Sequence, residues 1–385
     1  MKVKIDDLIR FRHTLHKHPE LSDHEKYTQN RILKRLEVLN TAKISPIGHT
    51  GVLVTFTGTE NGPEVMIRGD IDALPIQEES DLEYKSVNDG VAHLCGHDGH
   101  TAIILGVCKL LDQSGIKKGK VHVVFQPAEE NGHGAKAVIE DPQFKNVSPD
   151  VVYALHNIPG VRKSKVLCKQ GSFSCAADSI IIKLKGVTAH AAEPEHGINP
   201  MGYIGKMIDE FEKLQNPDLS SNDFQLLTPV YTHVGNKSYG VSAGYGELHY
   251  TLRTRLNARM AGLKKSVLDI IEEICKDKIT YEIEWTESFF ANVNDEHAVN
   301  SIKTAADKSG LEYEEIELPF KWGEDFGLFT DRFSGAMFGI GAGFETSALH
   351  NPDYNFPDDI IRPSIDMFMN LIDDKNLLNE PYVLY

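Results

Sequence analysis

Apolar positions along this chain come in short unbroken runs, separated by polar or glycine-rich stretches. Val52 to Phe56, Glu64 to Arg68, Val121 to Phe125, Val151 to Leu155 and Gly335 to Ile340 read as strands of a largely buried parallel sheet. Strands covered on both faces need no polar residue at alternate positions. Residues 24–39 have the spacing of an amphipathic helix, and Thr101 to Leu111 reads as an apolar helix. Between about 178 and 288 the rhythm changes: strand Ser179 to Leu184, helix near 200–214, strand Gly246 to Arg255, helix near 263–275, strand Thr280 to Trp285. This order predicts a compact α+β insertion, after which the first sheet resumes at a helix near 297–308. The expected architecture is therefore α/β, with a mainly parallel sheet in a domain of residues 1–176 and 289–385 and an inserted domain of residues 177–288.

Composition narrows the function classes. The 385 residues suffice for two domains, and 41% hydrophobic with 25% charged residues is an ordinary globular profile. Forty Lys and Arg against 56 Asp and Glu leave a net charge of -16, which opposes binding to nucleic acid or an anionic membrane. Charges interrupt every apolar run near the N-terminus, so a signal peptide or membrane span is not expected and a cytoplasmic protein is. Five cysteines in no regular spacing read as free thiols rather than a disulfide framework.

Chemistry gathers where the predicted strands end. Asp70 and Asp72 follow the strand at 64–68, Glu129 and Glu130 that at 121–125, His156 that at 151–155, and His350, after a loop, that at 335–340. Ligands in an open α/β sheet bind beyond the carboxyl ends of its strands, so this placement outlines an active site. The segment from His93 to His100 adds a thiol, Cys95, and three imidazoles, donors suited to zinc-like ions. Its alternative reading makes Asp98 a helix N-cap and Cys95 a buried thiol. The Glu129-Glu130 pair offers one carboxylate to hold a cation and another to move a proton, or else a solvated surface doublet. Asp72 either orients the base or serves as a turn residue.

Four runs carry a resemblance: Arg68 to Pro75 (RGDIDALP), Cys95 to Ala102 (CGHDGHTA), Phe125 to Glu130 (FQPAEE) and Leu349 to Pro352 (LHNP). In order and spacing they resemble the aminoacylase/carboxypeptidase family of dinuclear metallohydrolases. The similar branch comprises amidohydrolases such as hippurate hydrolase, N-acetyldiaminopimelate deacetylase and auxin-conjugate hydrolases. Leu15 to Ser22 resembles the branch's N-terminal signature and Gly186 to Ala192 its lid motif. The resemblance implies a catalytic domain of phosphorylase/hydrolase type and a ferredoxin-like inserted lid that also forms a homodimer. It further implies two divalent ions, zinc or manganese with cobalt or nickel as alternatives, held by Cys95, His97, Glu130, His156 and His350, with Cys95 bridging. Glu129 would be the general base, Asp72 its orienting partner, and His190 a donor to the partner subunit's site. Arg253 is a candidate for gripping the substrate carboxylate, or a surface ion-pair residue. His16 and His18 are not ligands in this scheme and read as structural, near a helix start. Gly323, Tyr250 and Arg255 depart from the family pattern, in regions the family uses near its pocket.

The expected reaction is hydrolysis of the amide of an N-acyl, above all N-acetyl, amino acid by metal-activated water. Cleavage of short peptides by a dipeptidase or carboxypeptidase is the alternative enzyme, and a non-catalytic metal-binding protein the alternative class.

Overall fold

The computed structural model describes residues 3–276 and 278–385. Contacts divide the chain into two units. One comprises Met1–Phe173, Asn292–Glu317 and Asp325–Tyr385, and the other Ser174–Ala291 with Leu318–Glu324. The sequence placed the segment around residues 318–324 with the first unit; its backbone bridges, such as Ser174 to Phe320, bind it to the second.

The strands in chain order are β1 (Ala42–Ile47), β2 (Gly51–Thr57), β3 (Glu60–Asp70), β4 (Lys118–Gln126), β5 (Val151–Pro159) and β6 (Val166–Cys168) in the first unit. The second unit contributes β7 (Ala176–Lys185), β8 (Gln225–Val234), β9 (Tyr245–Thr254) and β10 (Thr280–Phe289). The first unit resumes with β11 (Tyr313–Glu315) and β12 (Gly335–Gly343). Its sheet runs β1-β2-β4-β3-β5-β12-β6-β11. The four middle strands β4, β3, β5 and β12 are mutually parallel, and antiparallel pairings lie to either side, so the sheet is mixed. Parallel pairing aligns the carboxyl ends of these four strands at one edge, where the chemistry-bearing residues fall.

Helices α1 (Ile5–Lys17), α2 (Lys26–Leu36) and α3 (His97–Ser114) precede β4. Helix α3 is apolar on nearly every face and is buried almost throughout, as expected of a helix enclosed by other elements. It stops at Gly115, whose φ of +66° suits a residue without a Cβ, and whose N–H closes on Leu111. Helices α4 (Met201–Glu212) and α5 (Asn257–Cys275) belong to the second unit. Helices α6 (Glu296–Lys308) and α7 (Ile361–Asp374) belong to the first.

The second unit follows β-α-β-β-α-β order, with an all-antiparallel sheet β8-β9-β7-β10. Alternate β9 residues Leu248, Tyr250 and Leu252 join Ile204, Met207, Phe211, Leu263 and Val267 in one core. Tyr250 is thus a core residue, edge-on to Phe211 at 5.2 Å, rather than a pocket residue as its family position implied. Strand β8 was not anticipated. Pro229 interrupts the run, a register shift follows it, and most of the strand is exposed, which is edge-strand behaviour.

Candidate metal and catalytic centre

Helix α3 starts at His97, four residues before the expected position, which changes how its donors are held. Gly96 takes the N-cap position at φ +104°, and a Cβ there would lie 2.3 Å from the Asn157 side-chain oxygen. Asp98 is therefore not the cap. It is fully buried and accepts hydrogen bonds from Arg12 Nη1 at 2.8 Å and His16 Nδ1 at 2.9 Å. His16 lies in the last turn of α1, not near a helix start, and its Nε2 meets Glu78 at 3.2 Å. His18, just beyond that helix, is its C-cap. Arg12 and His16 thus tie α1 to the first turn of α3, which carries His97.

His156 lies within β5 rather than beyond it, because the strand continues to Pro159 while pairing with β12. Pairing with β3 ends at Ala154, so His156 still emerges at the level where β3 terminates. Its Nε2 stands 3.5 Å from Cys95 Sγ. His97 Nδ1 donates to the Asp72 carbonyl at 3.0 Å and faces Asp72 Oδ1 at 3.2 Å, which turns Nε2 to the opposite side of the ring. There Nε2 lies 3.8 Å from Glu130 Oε1 and 3.9 Å from Glu129 Oε2. His350 Nε2 is 3.7 Å from the same Glu130 oxygen, its main chain held at φ +67° with its N–H on the Leu94 carbonyl. The donor atoms of Cys95, His97 and His156 fall within 4.8 Å of one another, as do those of Cys95, Glu130 and His350.

His97 Nε2 and Glu130 Oε1 are both buried, and neither atom has a hydrogen-bond partner among the described residues. Two orphaned polar atoms 3.8 Å apart, facing a thiol and two imidazoles, form a donor set that a cation completes. The electrostatics agree. Burial and the neighbouring Glu130, Glu129 and Asp70 push the Cys95 thiol well up, and burial raises Glu130 to about 7 despite His97. Burial pulls His97 down, but Asp70, Asp72 and Glu130 outweigh it and hold it at about 10. Burial and His100 depress His156 to about 3, leaving its imidazole neutral and able to ligate. Glu130 and the Cys95 thiol thus resist ionising until further positive charge arrives, whereas Asp70 and Asp72, beside His97, are shifted down. The residues present fit two divalent ions, and Cys95 belongs to both donor groups.

Glu129 and Glu130 leave β4 on a turn whose Ala128 adopts φ +51°. Glu129 is 5% exposed, and the Asp325 N–H approaches its Oε1 at 3.4 Å. Asp72 accepts the Glu130 N–H at 3.0 Å and the Ser22 hydroxyl at 2.7 Å on one oxygen, so it orients the turn as well as His97.

Several supporting pairings were not found from sequence. Asp70 is engaged by Arg68 and by His100 Nδ1 at 2.6 Å, while His100 Nε2 meets Asn157 Oδ1 at 2.6 Å and Asn157 donates to Tyr354. Asp325 accepts from Arg68, Gln126 and the Ala135 N–H at 2.7 to 2.9 Å. Only the run of polar residues in RGDIDALP and GEDF hints at these pairings.

His190 and Arg253 lie in the second unit. His190 is exposed, in a two-residue strand opposite Val241, and its Nδ1 accepts the Ala192 N–H at 3.1 Å. Arg253 on β9 is half-buried and donates to the Lys321 carbonyl at 2.8 Å, which occupies one guanidinium nitrogen rather than forming a surface ion pair.

A model of peptidase family M20/M25/M40 matches residues 66–374, spanning the whole centre. The chain is 30% identical to an N-acetylcysteine deacetylase of Bacillus subtilis, over 94% of this chain and 95% of that one. It is also 30% identical to the N-acetyldiaminopimelate deacetylase of that organism, over 92% and 95%. A solved dinuclear metal-binding peptidase of the M20 family from Bacillus subtilis superposes with a TM-score of 0.79 at 29% identity, covering 95% of this chain and 97% of that one.

Proposed function

Because this chain belongs to peptidase family M20/M25/M40, we propose that the cluster around Cys95 is the centre at which it hydrolyses N-acyl amino acids. The protein is a metal-dependent amidohydrolase acting on a linear amide, and the observation that carries this is the pair of buried, partnerless atoms His97 Nε2 and Glu130 Oε1 facing Cys95, His156 and His350. The deacetylase names of its relatives favour removal of an acyl group, with acetyl as the group proposed, over cleavage of dipeptides.

Cys95, His97, Glu130, His156 and His350 would hold two divalent ions, Cys95 serving both. When bound, such ions lower the pKa of water from 15.7 to roughly 7 and polarise the amide carbonyl. Thiolate and imidazole favour zinc, while the carboxylate leaves manganese as the second choice. Glu129, whose carboxylate lies beside His97 and Glu130, takes the proton of the attacking water and returns it to the departing amine. Asp72 keeps His97 Nδ1 turned away from the donor set and holds the Glu129-Glu130 turn in place. No side chain needs to act as nucleophile.

His190 is proposed to donate from its imidazole to the developing oxyanion in the partner of a homodimer, and Arg253 to grip or support the substrate carboxylate. Residues 177–288 would form the lid and dimerisation domain. A cytoplasmic location and a small-molecule substrate rather than nucleic acid or membrane fit the net charge of -16, and no helix among the described residues is long and apolar enough to cross a membrane.

The test is a panel of N-acetyl amino acids, their carboxamides and dipeptides, assayed after loading with zinc or manganese. Metal-dependent turnover of the N-acetyl acids above both other classes is expected. Preferential turnover of dipeptides would reassign the reaction, and equal turnover of carboxamides would remove the Arg253 contact.

A further inference from the structure

The Glu129-Glu130 turn owes its shape to a residue more than a hundred positions earlier. Ala128 holds φ +51°, a conformation that L-residues with a Cβ rarely adopt and that persists only where surrounding contacts over-determine it. Two hydrogen bonds do so here. The Ala128 carbonyl accepts the Gly134 N–H at 2.9 Å within the turn, and the Ala128 N–H donates to Glu25 Oε1 at 2.7 Å. Glu25 is fully buried, and its other oxygen accepts the Thr50 hydroxyl at 2.6 Å.

Glu25 sits at the N-cap of α2 but does not cap it. The first-turn N–H groups of Tyr27 and Thr28 are taken instead by the Glu20 carboxylate, at 3.2 and 2.7 Å. A carboxylate at a helix start would ordinarily serve its own helix. This one is turned inward, towards the strained residue preceding the proposed base and metal ligand. Its burial, and after it the charge of Asp72, raises Glu25 to about 7, so the side chain is kept there against an electrostatic cost.

We propose that Glu25 is a positioning residue, which holds Ala128 in its left-handed conformation and thereby aims Glu129 at the reacting water and Glu130 at the metal. It touches neither substrate nor metal. The proposal rests on the amidohydrolase reading for Glu129, and on the donor set alone for Glu130.

The experiment uses the metal-loaded full chain, with zinc affinity measured by chelator competition and kcat and KM measured on an N-acetyl amino acid at saturating zinc. Partners outside the ligand set are typically worth 10–100-fold in metal affinity or activity, and Glu25→Ala is expected to lose about that much in zinc affinity and in kcat, with KM within about threefold. Glu25→Gln keeps an oxygen for the Ala128 N–H and should stay within about threefold of wild type. Ala128→Gly in the Glu25→Ala background removes the need for support and should recover most of the loss, because glycine adopts positive φ freely.

Wild-type zinc affinity and kcat in Glu25→Ala would overturn the proposal. So would a Glu25→Gln variant as impaired as Glu25→Ala, which would point to charge rather than hydrogen bonding. Failure of the glycine to rescue would also overturn it. If Glu25→Ala does not fold, Thr50→Ala replaces it. That change frees Glu25 on one side, and a loss of at least about threefold in zinc affinity is expected, none being the contrary result. Failure of the amidohydrolase reading looks different: wild type would bind zinc without turnover, while the affinity differences among the variants persisted.

Discussion

His97 donates from Nδ1 to the backbone carbonyl of Asp72 at 3.0 Å, so its other nitrogen is the one presented to Glu130. A carbonyl can only accept, so Nδ1 carries a proton and Nε2 is the nitrogen that can bind a cation once it gives up its own proton. The same carboxylate that flanks this contact also accepts the Glu130 N–H. One aspartate therefore sets the aim of two donors from different elements, the start of α3 and the turn after β4.

The purified protein is accordingly expected to carry close to two divalent ions per chain, read by elemental analysis after removal of loose metal. Cys95→Ala should retain at most one, because Cys95 belongs to both donor groups. Retention of two ions by that variant would refute the shared-ligand assignment.

Glu129 lies 3.9 Å from His97 Nε2 and falls within one donor group with His97 and Glu130, so substitution has to separate a ligand from a base. Glu129→Gln should leave the ion count near two and lower kcat by at least ~10²-fold, the low end for general acid–base catalysis. Retained kcat with intact metal would remove Glu129 from the proton path.

How much of this was visible beforehand depended on whether the signal was local. The parallel strands were legible because Val65-Met66-Ile67 and Val123-Val124-Phe125 are unbroken apolar runs, and unbroken runs are what a sheet buried on both faces requires. The strand ends drew attention to Glu129, Glu130 and His156, while the five-residue ligand set as a whole was implied by the resemblance. What was not legible depended on pairing across the chain. Helix α1 hides behind its charges, since Arg12 and His16 are buried only because Asp98, Glu78 and Asp358 meet them. Glu25 looks like an ordinary acid at a helix start until Ala128 is seen opposite it. Strand β8 carries a proline that propensity counts against, and sheet-edge placement tolerates it.

The α1–α3 tie predicts a pH dependence of stability. Burial pulls His16 down, but the hydrogen bonds it donates to Asp98 and Glu78 outweigh it and raise it to about 9, against about 6.5 in an unfolded chain. A raised folded pKa means that the folded state holds the proton more tightly. The contribution is therefore complete below about pH 6.5 and is lost as pH rises through about 9, with a magnitude on the order of 3 kcal/mol. Melting temperature in wild type should fall across that window relative to His16→Gln, which starts lower and should vary less with pH. Parallel curves for the two proteins would show that His16 is not protonated in the fold.

The last prediction concerns His190, whose imidazole is exposed on the second unit and has one nitrogen engaged, by the Ala192 N–H. The remaining nitrogen is available to meet a group outside its own unit. If His190 serves the partner's site as an oxyanion donor, its loss should lower kcat by roughly 10²–10³-fold with little effect on the ion count. Subunit mixing separates this from a role within one chain. His190→Ala and Glu129→Gln homodimers should each be nearly inactive, while a mixed dimer recovers one working site. That site would pair the Glu129 and ligands of the His190→Ala chain with the His190 of the other. Heterodimers demonstrated by differential tagging but without recovered activity would place His190 within its own chain's chemistry or outside the reaction.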